Sequence, residues 1–324
     1  MKIRLLLLAV AVFTTFVVGS RARERTPSAR IGMLLPGSEV SSAYLKGLYQ
    51  GLAEQGLLEG KNISLEIRFA NGRIDQLPSL AAELAGSGVD LIFTSGDQAG
   101  KAAKQATSTI PIVAVTCDAL AAGLVTNLRR PGENLTGVTC INADLDGKRV
   151  ELIREVLPSI SSLGVLLNPD DKRSVAELKE VELAAKASSI ALLPQAVVRP
   201  DDIGQAFSRT ADSGATGAIV VYDPTLYLHR RELADFAAGR RIATVFNFRE
   251  FVEAGGLMSY GPNVQDMCRQ SARLIKKALN GELAGEIPME QPTRFELVVN
   301  LKTAKAIGLV MPSSLIGRAD EVIE

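Results

Sequence analysis

One histidine serves a chain of 324 residues. Any Ser-His-Asp relay would run through His229, which "YLHRREL" sets beside Arg230 and Arg231 on a helix face that reads as solvated. Cys117, Cys140 and Cys268 form an odd set without CxxC spacing, and His229 lies in an unrelated helical segment, so no zinc-type ligand set assembles. Cys117 and Cys140 are the pair that a disulfide would join, and buried small hydrophobes is the reading that suits all three. Nucleotide chemistry lacks its loops. "GMLLPGSE" spaces Gly32 and Gly37 wrongly for a dinucleotide turn, and no GxxxxGK[ST] occurs. Asp170 and Asp171 could serve a hydrolase as a carboxylate pair, but "NPDDKRS" reads first as a loop and helix cap. The expectation is a protein that is not an enzyme and uses neither cofactor nor metal.

What the sequence offers instead is small polar groups at six junctions between strand and helix. They are "PGSE" (36–39), "TSGDQ" (94–98), "TCDA" (116–119), "NPDD" (168–171), "YDPT" (222–225) and "FNFRE" (246–250). A helix start carries unpaired backbone N–H groups and roughly half a positive charge, so a bare loop there accepts an anionic group such as a carboxylate. The candidate ligand-binding residues are Ser38, Ser95, Gly96, Asp97, Cys117 and Asp118 from the first three loops. Asn168, Tyr222, Asp223, Phe246 and Arg249 come from the last three. Asp118 or Asp223 would meet a cation, and Tyr222, Phe246 and Phe248 would form apolar walls. Each residue also has an ordinary structural use. Ser38, Ser95, Asp97 and Asp171 are good N-caps, Asp118 and Asp223 suit Asx-turns, one of Phe246 and Phe248 belongs in a core, and Arg249 has Glu250 and Glu253 close by. Only the convergence of the loops makes a site of them.

The elements that must position these loops alternate monotonously. Strand-like runs fall at 31–35, 63–69, 89–94, 112–116, 163–167, 217–222 and 244–247, and helical stretches at 43–55, 76–85, 148–157, 175–187 and 226–238. Strands apolar on both faces alternating with helices imply an α/β fold of parallel sheets covered on both sides. The length suits two lobes. The rhythm falters at 130–150, 251–263 and 285–300, consistent with three passages between lobes. Two doubly wound lobes joined by three crossovers would leave a ligand cleft outside the carboxyl ends of their strands.

Lys plus Arg and Asp plus Glu are both 36, so no net field draws the chain to nucleic acid, and the absence of Trp removes one stacking platform for single strands. At the N-terminus, Lys2 and Arg4 precede an apolar run from Leu5 to Val18 and small residues at Gly19 and Ser20. That is short for a bilayer span and suits a secretory signal peptide over residues 1–20. The alternative is an uncleaved anchor. No Cys lies near the cleavage position, so the exported chain is not expected to be a lipoprotein.

Three long segments carry a family resemblance: "EGKNISLEIRFANGRIDQLPSLAAEL" (59–84), "REFVEAGGLMSYGPN" (249–263) and "EQPTRFELVVNLKTAKAIGL" (290–309). With "ATSTIPIV" and "LRRPGENLTGV", the chain from Arg30 to Glu324 resembles the bacterial ABC-transporter substrate-binding proteins of tryptophan/tyrosine or uncharacterised uptake type. The resemblance implies a type 1 periplasmic binding fold, with lobe one at 30–141 and 257–286 and lobe two at 142–256 and 287–324. It implies hinges near Ile141, Leu257 and Pro288, a periplasmic monomer, and delivery of a small molecule to an ABC permease and its ATPase at the inner membrane. Relatives commonly show a Thr-Pro-Ala-like loop where this chain has Ser95, Gly96 and Asp97, and Asp-Pro where it has Asp118 and Ala119. The first difference places a carboxylate in a loop that would otherwise greet a ligand's carboxylate. Two alternatives share the fold class: a ligand-sensing receptor for a membrane kinase, and an α/β enzyme using Asp97, Asp118 or Asp223 as acid or base.

Overall fold

The computed structural model describes residues 28–39, 44–140, 143–292 and 294–324, and the side chains of all of these except 143 and 144. The apolar N-terminal run and the expected hinge at Ile141 lie outside the described residues. Two sheets form the frame. The first contains β1 (Ala29–Leu35), β2 (Ile63–Phe69), β3 (Leu91–Ser95), β4 (Ile112–Thr116) and β5 (Leu135–Thr139), in the order β2-β1-β3-β4-β5 and parallel throughout. The second contains β6 (Ser162–Leu167), β7 (Ala191–Ala196), β8 (Gly217–Val220), β9 (Ala243–Phe246), β10 (Met258–Pro262), β11 (Phe295–Asn300) and β12 (Glu321–Ile323), in the order β12-β11-β10-β9-β8-β6-β7. Its one antiparallel pair is β10 with β11.

The helices are α1 (Leu45–Glu54), α2 (Leu77–Gly86), α3 (Asp97–Ala106), α4 (Ala143–Val156), α5 (Lys172–Ala187) and α6 (Asp202–Asp212). They continue with α7 (Pro224–Leu228), α8 (Arg230–Gly239), α9 (Arg249–Glu253), α10 (Val264–Leu279), α11 (Leu301–Ala306) and α12 (Ser313–Ile316). The α/β alternation read from the apolar runs is what the chain adopts. The helix expected over 226–238 is two, α7 and α8, broken at His229. Strand β7, which carries Pro194, was not anticipated. It survives because it is an edge strand, where a residue without N–H forfeits no ladder bond.

The chain passes between the sheets later than the resemblance implies. Residues from Met258 pair within the second sheet as β10, so the second crossing falls at Asn263, not Leu257. Residues 287–290 still run along the open edge of β5: Thr136 Oγ1 donates to Ile287 O at 2.8 Å, and Glu290 N to Gly137 O at 2.9 Å. The third crossing therefore follows Glu290, not Glu286. Pairing decides both positions, because a strand whose backbone groups are buried must stay with the ladder that satisfies them.

Helix α10 returns to pack on α1 against the first sheet. Its approach depends on Gly47 and Gly51, where a Cβ would meet Gln265 O at 2.0 Å and Arg269 O at 2.3 Å. One apolar cluster runs from this core (Leu48, Phe93, Val115, Met267) across the gap into the second lobe (Tyr222, Phe246, Phe248, Phe251).

Candidate ligand cavity between the lobes

Strand β3 ends at Ser95 and α3 begins at Asp97. Between them Gly96 takes φ +93°, a left-handed turn open to glycine without cost. The turn is pinned by Gly96 N donating to Val115 O at 2.8 Å. This brings the start of α3, with its orphan N–H groups, to the edge of a cavity between the lobes that is partly open to solvent. From the first lobe Pro36, Ser95, Gly96, Thr116, Cys117, Cys140 and Met267 line it. Tyr222, Pro224, Tyr227, Leu228 and Phe248 face them from the second. None of the described lining residues carries a formal charge.

The second-lobe wall is an aromatic cluster. Tyr222 meets Phe248 edge-on at 5.1 Å and Tyr227 at 6.1 Å between ring centroids. Burial holds both phenols well above their ordinary pKa, so they enter the cavity as neutral O–H groups. Opposite them, Thr116 Oγ1 is buried without a hydrogen-bond partner among the described residues. The cysteines are thiols. Cys140 Sγ donates to Cys117 O at 3.1 Å, and burial pushes the Cys117 thiol up.

A polar recess adjoins this cavity at Pro224, lined by Asp97, Asn168, Asp171, Arg173 and Asp223 among others. Asp97 is the first residue of α3, and its Oδ1 accepts from Cys117 N at 3.0 Å. Its Oδ2 lies 3.3 Å from Nε of Arg173, which the second lobe sends across. Arg173 Nη2 donates to Asp171 Oδ2 at 3.0 Å and to Tyr222 O at 2.7 Å, and the guanidinium lies 4.7 Å over the Tyr222 ring. Burial pushes the Asp97 carboxyl up while Arg173 and the Cys117 N–H pull it down. The Arg173 guanidinium is raised, its carboxylate neighbours outweighing its own burial. On acidification, then, the carboxyl yields and the guanidinium stays charged.

The candidate residues separate on these grounds. Ser95, Gly96, Cys117 and Tyr222 line the apolar cavity, and Asp97, Asn168 and Asp223 line the polar recess. Asp97 does not cap α3, since Gly96 holds that position. Asp223 caps α7, accepting from Thr225 N at 2.7 Å, and takes Asn168 Nδ2 at 3.1 Å, so its carboxylate is spent within its own lobe. Asp118 accepts from Leu120 N and Ala121 N, an Asx-turn that satisfies it locally instead of meeting a cation. Phe246 is no cavity wall: it is fully buried and stacked on Phe251 at 4.7 Å, while Phe248, two residues on, reaches the cavity. Arg249 pairs with Glu253 at 2.9 Å, Glu296 at 3.2 Å and Glu321, tying α9 to β11 and β12. Ser38 lies beyond Gly37 and lines neither the cavity nor the polar recess.

Sequence reasoning missed Arg173, Tyr227 and Tyr44, the last of which also lines the cavity from the first lobe. Arg173 had left a signal. A cation in the first turn of a helix opposes the macrodipole, so it needs carboxylates from elsewhere, and "NPDDKRS" supplies only part of them.

Two sheets with their helix starts aimed into a shared gap define the type 1 periplasmic-binding fold. The family described as ABC transporter substrate binding protein matches residues 38–323, and the chain belongs to it. It is similar to a tyrosine-binding protein of Clostridioides difficile (strain R20291), 27% identical over 270 residues, covering 82% of this chain and 76% of that one. Among solved structures, a conserved domain protein from Vibrio cholerae is 25% identical with a TM-score of 0.84, over 91% of this chain and 99% of that one. An ABC domain in complex with L-Trp from Streptococcus pneumonia is 24% identical with a TM-score of 0.84, over 91% and 100%. The ligand-free, open structure of a substrate binding protein with adhesive properties from Clostridium difficile is also 24% identical, over 91% and 99%, but its TM-score is 0.70. Among the described residues no helix is long and apolar enough to cross a membrane, and no group of His, Cys, Asp and Glu could hold a metal ion.

Proposed function

We propose that this chain is the extracytoplasmic receptor of an ABC uptake system, closing its lobes over one small solute with an aromatic body and presenting the closed form to a permease and its ATPase. It acts as a monomer and does no chemistry on the solute. The observation that carries this is the cavity whose two walls come from different lobes, aromatic on one side and small and hydroxyl-bearing on the other. The closer overlay on the L-Trp complex than on the open relative supports reading the arrangement as the closed state.

Magnitudes favour the ring as the main source of affinity. An aromatic group burying about 200 Å² at about 25 cal/mol per Å² contributes about 5 kcal/mol. Micromolar binding needs about 8 kcal/mol. Hydrogen bonds to Ser95, Thr116 or the start of α3 add about 0.5–1.5 kcal/mol each, too little to replace the wall. Because both walls are needed, only the closed form makes the full contact, and that differential is what a solute uses to shift the lobes.

The test is a thermal-shift and calorimetric screen of the full chain against indoles, phenols and their amine and amino-acid derivatives. A true solute at a hundredfold excess over its Kd adds about 2.7 kcal/mol of stability and is recovered unchanged after denaturation. Turnover of any member would make the protein an enzyme, and a flat screen would remove the aromatic reading.

A further inference from the structure

We propose that the solute has no carboxylate, because the chain supplies that group itself from Asp97. This rests on the receptor reading above and narrows its solute class. Asp97 and Arg173 are 6% and 5% exposed, and they come from opposite lobes. In the closed form the Asp97 carboxylate accepts a hydrogen bond from the Cys117 N–H of its own lobe at 3.0 Å and forms an ion pair with the Arg173 guanidinium of the other at 3.3 Å. That is the bridging arrangement a solute carboxylate would adopt to hold the lobes together, and a side chain already occupies it.

The recess that would take a second carboxylate already holds more carboxylates than cations, with Lys101 the one cation beside Arg173 in its lining. Arg173 has three carboxylates within 4.0 Å, namely Asp97, Asp171 at 3.0 Å and Glu177 at 3.9 Å. Asp97, Asp170, Asp171 and Asp223 line the recess against Lys101 and Arg173, so it stays formally negative and repels an entering anion. An entering carboxylate would meet that field with no counter-charge from the cavity lining. At the far end, Arg249 is engaged by Glu253, Glu296 and Glu321, and Arg230 lies 5.1 Å over the Tyr227 ring. Aromatic amines and uncharged aromatics fit this electrostatic frame; the matching amino acids do not.

The experiment compares matched pairs on the full-length chain by calorimetry: tryptamine against tryptophan, and tyramine against tyrosine, with indole and phenol as uncharged members. The expected result is at least tenfold tighter binding by the member without the carboxylate. Equal or tighter binding of the amino acids overturns this inference while leaving the receptor reading intact. Binding by no member removes the aromatic reading and this inference with it. Asp97→Asn provides the second arm. Arg173 keeps Asp171 and Glu177 in that variant, so the fold retains a paired guanidinium, which a melting curve checks. With the carboxylate removed, the amino acids should gain at least tenfold in affinity and the ratio within each pair should shrink. An unchanged ratio in a folded Asp97→Asn would equally sink the proposal.

Discussion

Two buried arginines of the second lobe make different use of the same chemistry. Arg149, fully buried on α4, donates to Asp146 Oδ1 at 2.6 Å and to Tyr260 O at 3.0 Å, and reaches Glu177 at 3.4 Å. Every partner belongs to its own lobe, and Asn247 Nδ2 completes the cluster at Glu177 Oε1 at 2.8 Å. Arg173 shares Glu177 but gives its Nε to Asp97 of the other lobe. Opening the cleft leaves the first set intact and divides the second. A buried ion pair whose members move together belongs to the fold, and one whose members part belongs to the function.

The sharpest way to break the comparison is Arg149→Ala. Removing one partner of a buried pair leaves uncompensated charge and costs about 3–5 kcal/mol. Denaturant titration should show that loss, and a cost below about 1 kcal/mol would mean that α4 relaxes to let water in. Acidity probes the same cluster. Burial pushes Asp146 up to about 8, with Glu177 adding to the rise and Arg149 opposing it. Its folded pKa exceeds its unfolded one, so its contribution is fully present below the ordinary carboxyl pKa and lost as pH rises through about 8. Stability should therefore fall between about pH 5 and 8, by up to about 1.4 kcal/mol per pH unit for one proton. Asp146→Asn should flatten that slope. A slope that persists would shift the cause to Glu250, which burial pushes up to about 7.

Smaller effects are expected at the other arginine. Arg173→Lys keeps the charge but loses the fork that serves Asp171, Tyr222 O and Asp97 together. A stability loss of about 1.5–3 kcal/mol is expected, that of one charge-assisted hydrogen bond. Solute affinity should fall as the Tyr222 wall loosens, read by calorimetry. Asp97→Asn should change global stability least, by less than about 1 kcal/mol, yet shift the unliganded lobes toward the open form. X-ray scattering would register a larger radius of gyration; an unchanged radius would mean that the pair does not hold the lobes.

Much of the architecture could be read along the chain because its signals are local. Apolar runs bounded by turns, each followed by an amphipathic stretch, located β1 to β4, β6, β8 and β9 to within a few residues. Strand β7 was hidden by Pro194, and β12 is too short to carry a period. The site was legible only as a set of loops. Asp97, Asp118, Asp171 and Asp223 look alike in sequence, each a carboxylate just past the end of a strand, although the loop after β4 leads to β5 and not to a helix. One bridges lobes, one closes an Asx-turn, and two cap helices while also binding within their lobe. Nothing local separates them, since each outcome depends on which donor a distant segment brings near.

By itself, then, the sequence determined that strands alternate with helices and that polar loops gather at the carboxyl ends of those strands, because both follow from periodicity over a few residues. Tertiary structure decided which of those loops still have groups to offer a solute. It set Arg173 against Asp97, buried Phe246 while leaving Phe248 at the cavity, and drew Arg249 into the carboxylates of β11 and β12. Charges and rings are assigned by whatever lies within about 4 Å in space, and at that range sequence separation has no bearing on the energy.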